Sequence, residues 1–231
     1  MRIFHNVRTA KTMNLNQAMY EKKMLHIQER KGYIIGKRCI DIIGALIGII
    51  ILLPVFVLVG ICIKLSDSKH PVFFKQERIG KDEKIFYMYK FRTMVHDAEK
   101  KLQELLPYNE VSGAMFKMKD DPRITKLGKI LRKTSIDELP QLWNVLKGEM
   151  SLVGPRPPLV REIAEYTEYE KQRLLIIPGC TGLWQVSGRS QLSFEEMVEL
   201  DLMYIQNRTI LYDMKIIAKT IRYLLKNSGA Y

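Results

Sequence analysis

A chain of 231 residues, 47% of them hydrophobic, is long enough for one domain with a substantial core and too short for several. Its net charge is +12, and the residues before Cys39 hold nine Lys or Arg against two Asp or Glu, so this segment carries +7 of the +12. Such an excess is typical of proteins that bind nucleic acid, an anionic membrane or a polyphosphate substrate. The three cysteines show neither metal-site spacing nor a disulfide framework, which indicates a reducing compartment.

Residues 1–36 are predicted to form a basic arm near lipid headgroups, and they lack the apolar core and cleavage site of a signal peptide. Residues 37–66 include about 22 uncharged residues from Ile42 to Ile63, enough for a helix to cross the roughly 30 Å hydrocarbon core. Pro54 lies near the middle, and both flanks are basic. This pattern leaves two structures equally supported, a re-entrant helix-break-helix on one face and a kinked transmembrane helix.

The residues after this segment predict a β-hairpin, with strands over Val72–Ile79 and Ile85–Arg92. Arg78, Lys90 and Arg92 are candidate ligands for phosphate, although a solvated strand face explains them equally well. No nucleic-acid recognition motif accompanies the basic residues, so no nucleic-acid partner is expected.

Two adjacent carboxylates, Asp137 and Glu138, are the strongest candidates for chemistry. Ser135 and Glu138 have the spacing of a capping box, which predicts a helix start at Ser135, whereas Pro140 fits better if Asp137 is the N-cap. Acidic residues at a helix N-terminus often have only a structural role. Nearby arginines, including Arg132, favour instead a metal-assisted phosphoryl site in which the two carboxylates hold a divalent cation or attack phosphorus.

Two further loops contain candidate binding residues. Pro155 and Pro157 bracket Arg156 and fix its backbone, so the guanidinium can bind an anion at little entropic cost. The glycine-rich stretch over residues 178–190 includes candidates for binding a sugar or nucleotide, although it could equally be a plain connector; these candidates are Trp184, Gln185 and Arg189.

Three helices are predicted in the last third of the chain. The first, of mixed charge, covers Val160 to Leu175, and the second begins at a capping box on Ser193. The third covers Ile210 to Lys226, and its apolar stripe with basic neighbours predicts a helix in the membrane interface or one packed on the core.

Long motifs occur in a characteristic order: Phe-Lys-Gln-Glu-Arg-Ile-Gly80, Lys90-Phe-Arg-Thr-Met94, Asp121-Pro-Arg-Ile-Thr-Lys-Leu-Gly128, Leu131-Arg-Lys-Thr-Ser-Ile-Asp-Glu-Leu-Pro-Gln141, Met150-Ser-Leu-Val-Gly-Pro-Arg-Pro157 and Pro178-Gly-Cys-Thr-Gly-Leu-Trp-Gln-Val-Ser-Gly-Arg189. In this order the chain resembles the bacterial monotopic phosphoglycosyl transferases, the initiating sugar transferases of capsule, exopolysaccharide and O-antigen synthesis. The resemblance covers about residues 37–226.

The resemblance implies an α+β fold: a mostly helical monotopic membrane protein with a re-entrant helix-break-helix, a small β-hairpin and interfacial amphipathic helices. It divides the chain into the arm (1–36), the re-entrant helix (37–66) and a catalytic domain with an interfacial C-terminal helix (67–231). The domain would lie on the cytoplasmic face of the bacterial inner membrane. Leu53 departs from the serine that usually precedes the breaking proline, so a hydrogen bond that would hold the break is missing.

The resemblance also implies transfer of a hexose 1-phosphate from a UDP-sugar to undecaprenyl phosphate, with release of UMP and a requirement for Mg²⁺. Asp137 would be the nucleophile that forms a phosphosugar-enzyme, and Glu138 its partner, with the metal near both. Arg132 matches the arginine ahead of this pair, and Arg156 matches the arginine that holds the nucleotide. The residues around Trp184 resemble those of members that use glucose or galactose.

A non-catalytic scaffold of the polysaccharide assembly machinery is the alternative function. It would bind anionic lipids through its basic arm and last helix, in a manner lost at high salt. A homodimer is a possible assembly in either case.

Overall fold

The computed structural model describes residues 24–25, 30–110, 116, 118–188 and 191–226; the arm predicted over 1–36 lies mostly outside this range. The helices are α1 (Lys31–Ser66), α2 (Ala98–Leu105), α3 (Lys126–Lys133), α4 (Gln141–Lys147), α5 (Val160–Ile163), α6 (Glu168–Lys171), α7 (Phe194–Asn207) and α8 (Ile210–Leu225). The strands are β1 (Phe73–Ile79), β2 (Ile85–Phe91), β3 (Ser151–Val153) and β4 (Gly179–Thr181). Mixed helices and small sheets confirm the predicted α+β class.

Helix α1 is the one described helix that is long and apolar enough to cross a membrane. Its 36 residues stay helical through Pro54, so the structure does not confirm the predicted break. Most of its apolar side chains are exposed, and Ile50 and Ile51 are 70% and 68% exposed. Four residues of α1 are nevertheless buried against the rest of the chain, namely Asp41, Ala45, Val59 and Ile63.

Polar side chains in the first half of α1 attach it to three parts of the domain. Lys37 pairs with Asp213 of α8, with 3.0 Å between Nζ and Oδ2. Arg38 donates to two carbonyl oxygens at the end of α4, at 2.6 and 2.7 Å. Asp41 accepts from the Ser151 hydroxyl at 3.0 Å and from the next amide of β3 at 2.9 Å. This long apolar helix is therefore part of the tertiary structure of the domain.

Strands β1 and β2 form the predicted hairpin, paired antiparallel from Phe73 opposite Phe91 to Ile79 opposite Ile85. The Ile79 amide also donates to the Pro158 carbonyl at 3.0 Å, which attaches the end of β1 to the Pro-Arg-Pro loop. This contact brings the hairpin and the loop, which are distant in sequence, side by side.

The second sheet holds the other side of the Pro-Arg-Pro loop. Strands β3 and β4 pair in parallel, with Ser151 opposite Gly179. Just beyond β3, the backbone at Gly154 approaches Gly179 so closely that a Cβ added to Gly179 would lie 2.0 Å from the Gly154 nitrogen. Side chains cannot fit at this crossing, so the two glycines fix the path of the chain into the loop.

The helix predicted from Val160 to Leu175 is wrong. Helix α5 ends at Ile163 and α6 starts at Glu168, and a 3₁₀ turn follows α6. Thr167 caps α6 through a capping box with Glu170, and this local start signal divides the segment. The other two helices are confirmed: Ser193 caps α7 by the predicted box, and α8 begins at Ile210.

Helix α8 packs on the core through Ile216 and Ile217 and leaves several other apolar side chains exposed. Ile216 is 1% exposed in the largest core cluster, whereas Leu211 is 75% exposed. Met214 and Ile221 of the predicted stripe are also exposed. An amphipathic helix with a free apolar face is what a membrane interface accommodates.

Candidate active site

The two adjacent carboxylates lie on a tight turn between α3 and α4. Ser135 adopts a left-handed conformation with φ 58°, and residues Ile136–Glu138 form a single 3₁₀ turn. The helix start predicted at Ser135 or Asp137 is wrong, because neither residue caps α4, which begins after Pro140. Pro140 lacks an N–H and so suits a helix start. The turn thereby places the carboxylates outside any regular helix.

Asp137 and Glu138 have different electrostatic surroundings. Asp137 is 6% exposed, and within the described residues it forms no ion pair. Burial raises its pKa, although the charges of Lys90 and Arg132 oppose the shift. For Glu138 burial acts in the same direction, but Lys90 and Arg156 outweigh it and hold its pKa well below the usual range.

The charge of Glu138 is shared by two cations from separate elements. Lys90, near the end of β2, donates to Glu138 Oε1 at 2.8 Å. Arg156, from the Pro-Arg-Pro loop, has Nη1 3.7 Å from the same oxygen. The structure thus brings together three residues that the sequence singled out separately, and Asp137 is adjacent to them.

Arg78 is 5% exposed and lies behind the Pro-Arg-Pro loop. It donates to the Pro157 carbonyl at 2.8 Å and to Gln76 Oε1, and it pairs with no carboxylate in the described part of the chain. Burial and the charge of Arg156 lower its pKa. Its contacts position the loop. Its positive charge adds to those of Lys90 and Arg156, so cations outnumber carboxylates around Glu138.

Arg132 is positioned through a contact that the sequence analysis missed. Its Nε donates to Thr93 Oγ1 at 3.0 Å. A Cβ added to Gly128 of α3 would lie 2.0 Å from the Thr93 carbonyl oxygen, so α3 approaches this backbone through a glycine. Thr93 lies two residues after the end of β2, and the contact therefore fixes Arg132 relative to the strand that carries Lys90.

Arg156 also lines a small cleft whose wall includes neither Asp137 nor Glu138. Sequence reasoning found Arg156, Pro157 and Trp184 but missed four more of its lining residues, because only tertiary packing brings them beside Arg156: Glu162, Tyr166, Arg173 and Phe194. Arg173 forms a buried ion pair with Asp201, at 2.7 Å from Nη2 to Oδ2. Burial raises the pKa of Asp201 to about 6, against the opposing charge of Arg173.

Two predicted binding residues, Arg92 and Gln185, are not brought to the carboxylates. Arg92 pairs with Asp67 near the end of α1, at 3.0 Å from Nη1 to Oδ2. Gln185 lies on the same 3₁₀ turn as Trp184. Arg189 lies outside the described residues. Pro155 is buried, and its carbonyl accepts from the Gly179 amide at 2.8 Å, so it has a structural role in the loop.

The carboxylate pair fits Mg²⁺ when substrate completes the shell. No third His, Cys, Asp or Glu joins Asp137 and Glu138 to form a metal cluster, as far as the chain is described. Magnesium is commonly held by one or two carboxylates together with water and substrate phosphates. The donor set is therefore that of a metal–phosphate site and not of a preformed metal cage.

A profile of the family described as bacterial sugar transferase matches residues 32–227. The chain belongs to the bacterial sugar transferase family. This membership confirms the resemblance seen in the motifs, and the matched segment includes every element that forms the candidate site. The buried Asp137 and its surrounding cations lie within the matched segment.

Several curated members of the sugar transferase family are similar to the chain. The galactosyl transferase CpsE of Streptococcus agalactiae is 49% identical over 86% of this chain and 44% of its own length. The undecaprenyl-phosphate galactose phosphotransferase of Salmonella typhimurium is 42% identical over 84% and 41%. The exopolysaccharide production protein ExoY of Sinorhizobium fredii is 41% identical over 85% and 88%. The chain spans less than half the length of the first two relatives.

Proposed function

We propose that this chain transfers a hexose 1-phosphate from a UDP-sugar to undecaprenyl phosphate, giving undecaprenyl-diphosphate-sugar and UMP. The observation that carries the proposal is the buried Asp137 carboxylate, which forms no ion pair with any described residue although Lys90, Arg132 and Arg156 lie around the turn. A carboxylate is a weak nucleophile toward phosphorus, and an excess of positive charge offsets the repulsion between the two anions.

In the first step, a carboxylate oxygen of Asp137 attacks the β-phosphorus of the UDP-sugar. The bond from that phosphorus to the bridging oxygen breaks, and UMP leaves with the bonding electrons. Arg156 is placed to hold the departing phosphate, because its guanidinium lies 3.7 Å from Glu138 at the rim of the cleft. Asp137 then carries the hexose phosphate as an acyl phosphate.

In the second step, a phosphate oxygen of the lipid acceptor attacks the same phosphorus and releases Asp137. Bound Mg²⁺, held by Asp137, Glu138 and diphosphate oxygens, would supply further positive charge to the phosphate groups. Lys90 keeps Glu138 ionised through the 2.8 Å contact, so Glu138 is suited to hold a cation and not to donate a proton. The two steps restore the enzyme without any net proton transfer to Asp137.

The packing of α1 favours a re-entrant helix over a transmembrane one. Contacts with the domain occur on both sides of Pro54: Gly48 meets Leu142 before it, and Val59 and Ile63 pack beside Phe91 after it. A simple span would separate its two ends by a bilayer, and one polar domain could not touch both. We therefore place the domain on one face, the cytoplasmic face of the inner membrane, where UDP-sugars are made.

The names of the relatives favour galactose among the hexoses. CpsE and the Salmonella transferase are both named for galactose. ExoY is named for exopolysaccharide production, which supports a place at the first membrane step of surface polysaccharide synthesis. Glucose, the other sugar expected from the residues around Trp184, is the necessary comparison.

The proposal is tested by measuring UMP release from protein in nanodiscs with Mg²⁺, undecaprenyl phosphate and either UDP-galactose or UDP-glucose. Intact-mass analysis without acceptor should show one hexose phosphate added to the protein, and Asp137→Asn should remove both signals. Chelation of Mg²⁺ should stop UMP release reversibly. Lipid binding that high salt abolishes, with no UMP from either donor, would instead indicate a scaffold.

A further inference from the structure

A side chain of α4 bonds the edge of β2 that faces away from β1. Asn144 Oδ1 accepts the Tyr89 amide at 3.0 Å, and Asn144 Nδ2 donates to the Tyr87 carbonyl at 2.7 Å. Backbone groups on the outer edge of a strand are normally bonded by the next strand of a sheet or by water. Here one side-chain amide bonds two of them, so Asn144 joins α4 to the hairpin as a neighbouring strand would.

Three hydrogen bonds fix the orientation of the Asn144 amide. The Tyr89 N–H requires an oxygen opposite it and the Tyr87 carbonyl requires a nitrogen, so the amide fits in one of its two orientations. Nδ2 also donates to Glu149 Oε2 at 2.7 Å. Asn144 is 0% exposed, and water therefore cannot replace these partners. A shift of β2 relative to α4 would leave buried polar groups without partners, which is costly.

The contact lies next to residues of the proposed chemistry on both sides. Lys90 follows Tyr89 directly, and α4 begins three residues after Glu138. Lys90 in turn donates to Glu138 Oε1 at 2.8 Å. The contacts thus form a closed path, from Glu138 through α4 to Asn144, across to β2, and back from Lys90 to Glu138. The separation of β2 and α4 therefore determines whether the lysine reaches the carboxylate.

We propose that Asn144 is a positioning residue for the sugar-phosphate transfer: its side chain holds β2 at the separation from α4 at which Lys90 bonds Glu138. The assignment rests on the proposed function and deepens it. Asn144 takes no part in the chemistry itself, because it acts through the ammonium group of Lys90. Glu149 supports this role, because it holds the amide that bonds the strand.

The hairpin has a second, apolar attachment to α4, so a variant without the amide is expected to fold. Phe86 and Met88 of β2 belong to one buried apolar cluster with a valine of α4. Asn144→Ala leaves this cluster in place and removes the bonds that set the position of the strand edge. The expected result is a folded protein in which Lys90 no longer lies at a fixed distance from Glu138.

The test is a double-mutant cycle of Asn144→Ala and Lys90→Met, measured as kcat/KM for UMP release from the UDP-hexose that the wild type uses best. Asn144→Ala alone should lower kcat/KM roughly tenfold to a hundredfold, the cost of a misplaced group. In the Lys90→Met background it should lower kcat/KM by less than about threefold, because the group that it positions is already gone. A general loss of folded protein would lower both backgrounds by the same factor. Equal factors would therefore overturn the proposal.

A milder change at Glu149 tests the support of the amide while keeping both bonds to the strand. Glu149→Ala removes the acceptor of Asn144 Nδ2, and kcat/KM should fall roughly threefold to tenfold. Glu149→Gln keeps a side-chain oxygen at this place and should restore most of the activity. The matched control is Asn207→Ala, at an exposed asparagine that donates to the Met203 carbonyl of its own helix. It should leave kcat/KM unchanged.

Amide hydrogen exchange in nanodiscs tests the contact without relying on activity. Asn144→Ala should speed exchange in the peptide that contains Tyr89 and leave β3 and β4 unchanged, because the Tyr89 amide loses its acceptor. Lys90→Met keeps the Asn144 bonds and should leave this peptide unchanged. Unchanged exchange in Asn144→Ala would overturn the proposal. If wild-type protein releases no UMP from any UDP-hexose but the local increase is present, the proposed function fails while Asn144 still holds β2 in place.

Discussion

Two buried aspartates in this chain differ in how their charge is balanced. Asp201 is fully buried and is matched by Arg173, with Nε 2.8 Å from its Oδ2. Asp137 is 6% exposed and has several cations around it, none in an ion pair with it among the described residues. Burial raises the pKa of both carboxyls. The difference therefore lies in the neighbours and not in the depth of burial.

The contrast distinguishes charged residues that form ion pairs within the fold from charged residues around the carboxylate turn that are available to a substrate. Matched pairs join elements distant in sequence, as Lys37 joins Asp213 across 176 residues. Around the carboxylate turn, cations outnumber anions, since Arg78, Lys90, Arg132 and Arg156 surround Asp137 and Glu138. A diphosphate would supply the missing negative charge. Substitutions in the two groups should accordingly affect different properties.

Replacing Asp137 with Asn should have the largest effect on activity and little effect on stability. Loss of the attacking group is expected to lower UMP release by roughly a thousandfold or more. The melting temperature should stay the same or rise, because the variant no longer buries a carboxyl group whose pKa is raised by burial. Single-turnover UMP release and thermal unfolding in nanodiscs measure the two effects. Turnover near the wild-type rate would remove Asp137 from the nucleophile role.

Replacing Asp201 with Asn should reverse this pattern. The variant leaves the Arg173 charge buried without a counter-ion, which costs about 3 kcal/mol, the lower end of the range for broken buried pairs because the amide oxygen still accepts one hydrogen bond. Thermal unfolding at equal protein and lipid concentration measures the loss. An unchanged melting temperature would show that this pair does not stabilise the fold.

Replacing Arg156 with Lys should have an intermediate effect on kcat/KM for the UDP-sugar donor. Lysine keeps the charge but loses the planar fork that can hold two phosphate oxygens at once, so kcat/KM should fall roughly tenfold to a hundredfold. The loss should appear with every UDP-sugar, because the contact is to phosphate and not to the sugar. An effect restricted to one sugar would assign Arg156 to hexose recognition.

The pH dependence should show the smallest of these effects. Ionised Asp137 is the attacking form, and burial raises its pKa. As the pH is lowered, UMP release should therefore begin to fall at a higher pH than it would if an ordinary carboxyl, with a pKa of about 4, were the attacking group. Lys90→Met removes a charge that lowers this pKa and should move the acid limb to higher pH. Lys147→Met, at a surface lysine paired with Glu149, should leave the limb in place. A limb that Lys90→Met does not move would mean that another group titrates.

Local signals in the sequence predicted most elements and failed where two signals competed. The hairpin and the Ser193 cap were predicted correctly because their sequence patterns are short and no competing signal lies nearby. The Ser135 box was wrong because Pro140 moves the helix start, and Ser135 turns left-handed instead. The capping box at Thr167 starts a new helix and so divides the region after Val160. Its pattern is as clear as the one at Ser193, but the longer helical pattern around it favoured one continuous helix.

The site was predicted in its residues but not in its arrangement. Motifs identified Asp137, Glu138, Lys90 and Arg156, which do meet. No local pattern shows that Arg78 supports the Pro-Arg-Pro loop from behind, since that depends on the strand–loop contact at Pro158. Four cleft residues, Glu162, Tyr166, Arg173 and Phe194, were missed for the same reason. They come together only through long-range packing.

The attachment of α1 to the domain sets an order of events during synthesis. Helix α1 leaves the ribosome before the rest of the described domain, but Tyr33 and Lys37 both bind Asp213, which is made about 180 residues later. Until α8 emerges, these groups lack their acceptor, and the contact that forms later must close a long loop of chain. A chain that stops short of α8 leaves Tyr33 and Lys37 of α1 without this acceptor.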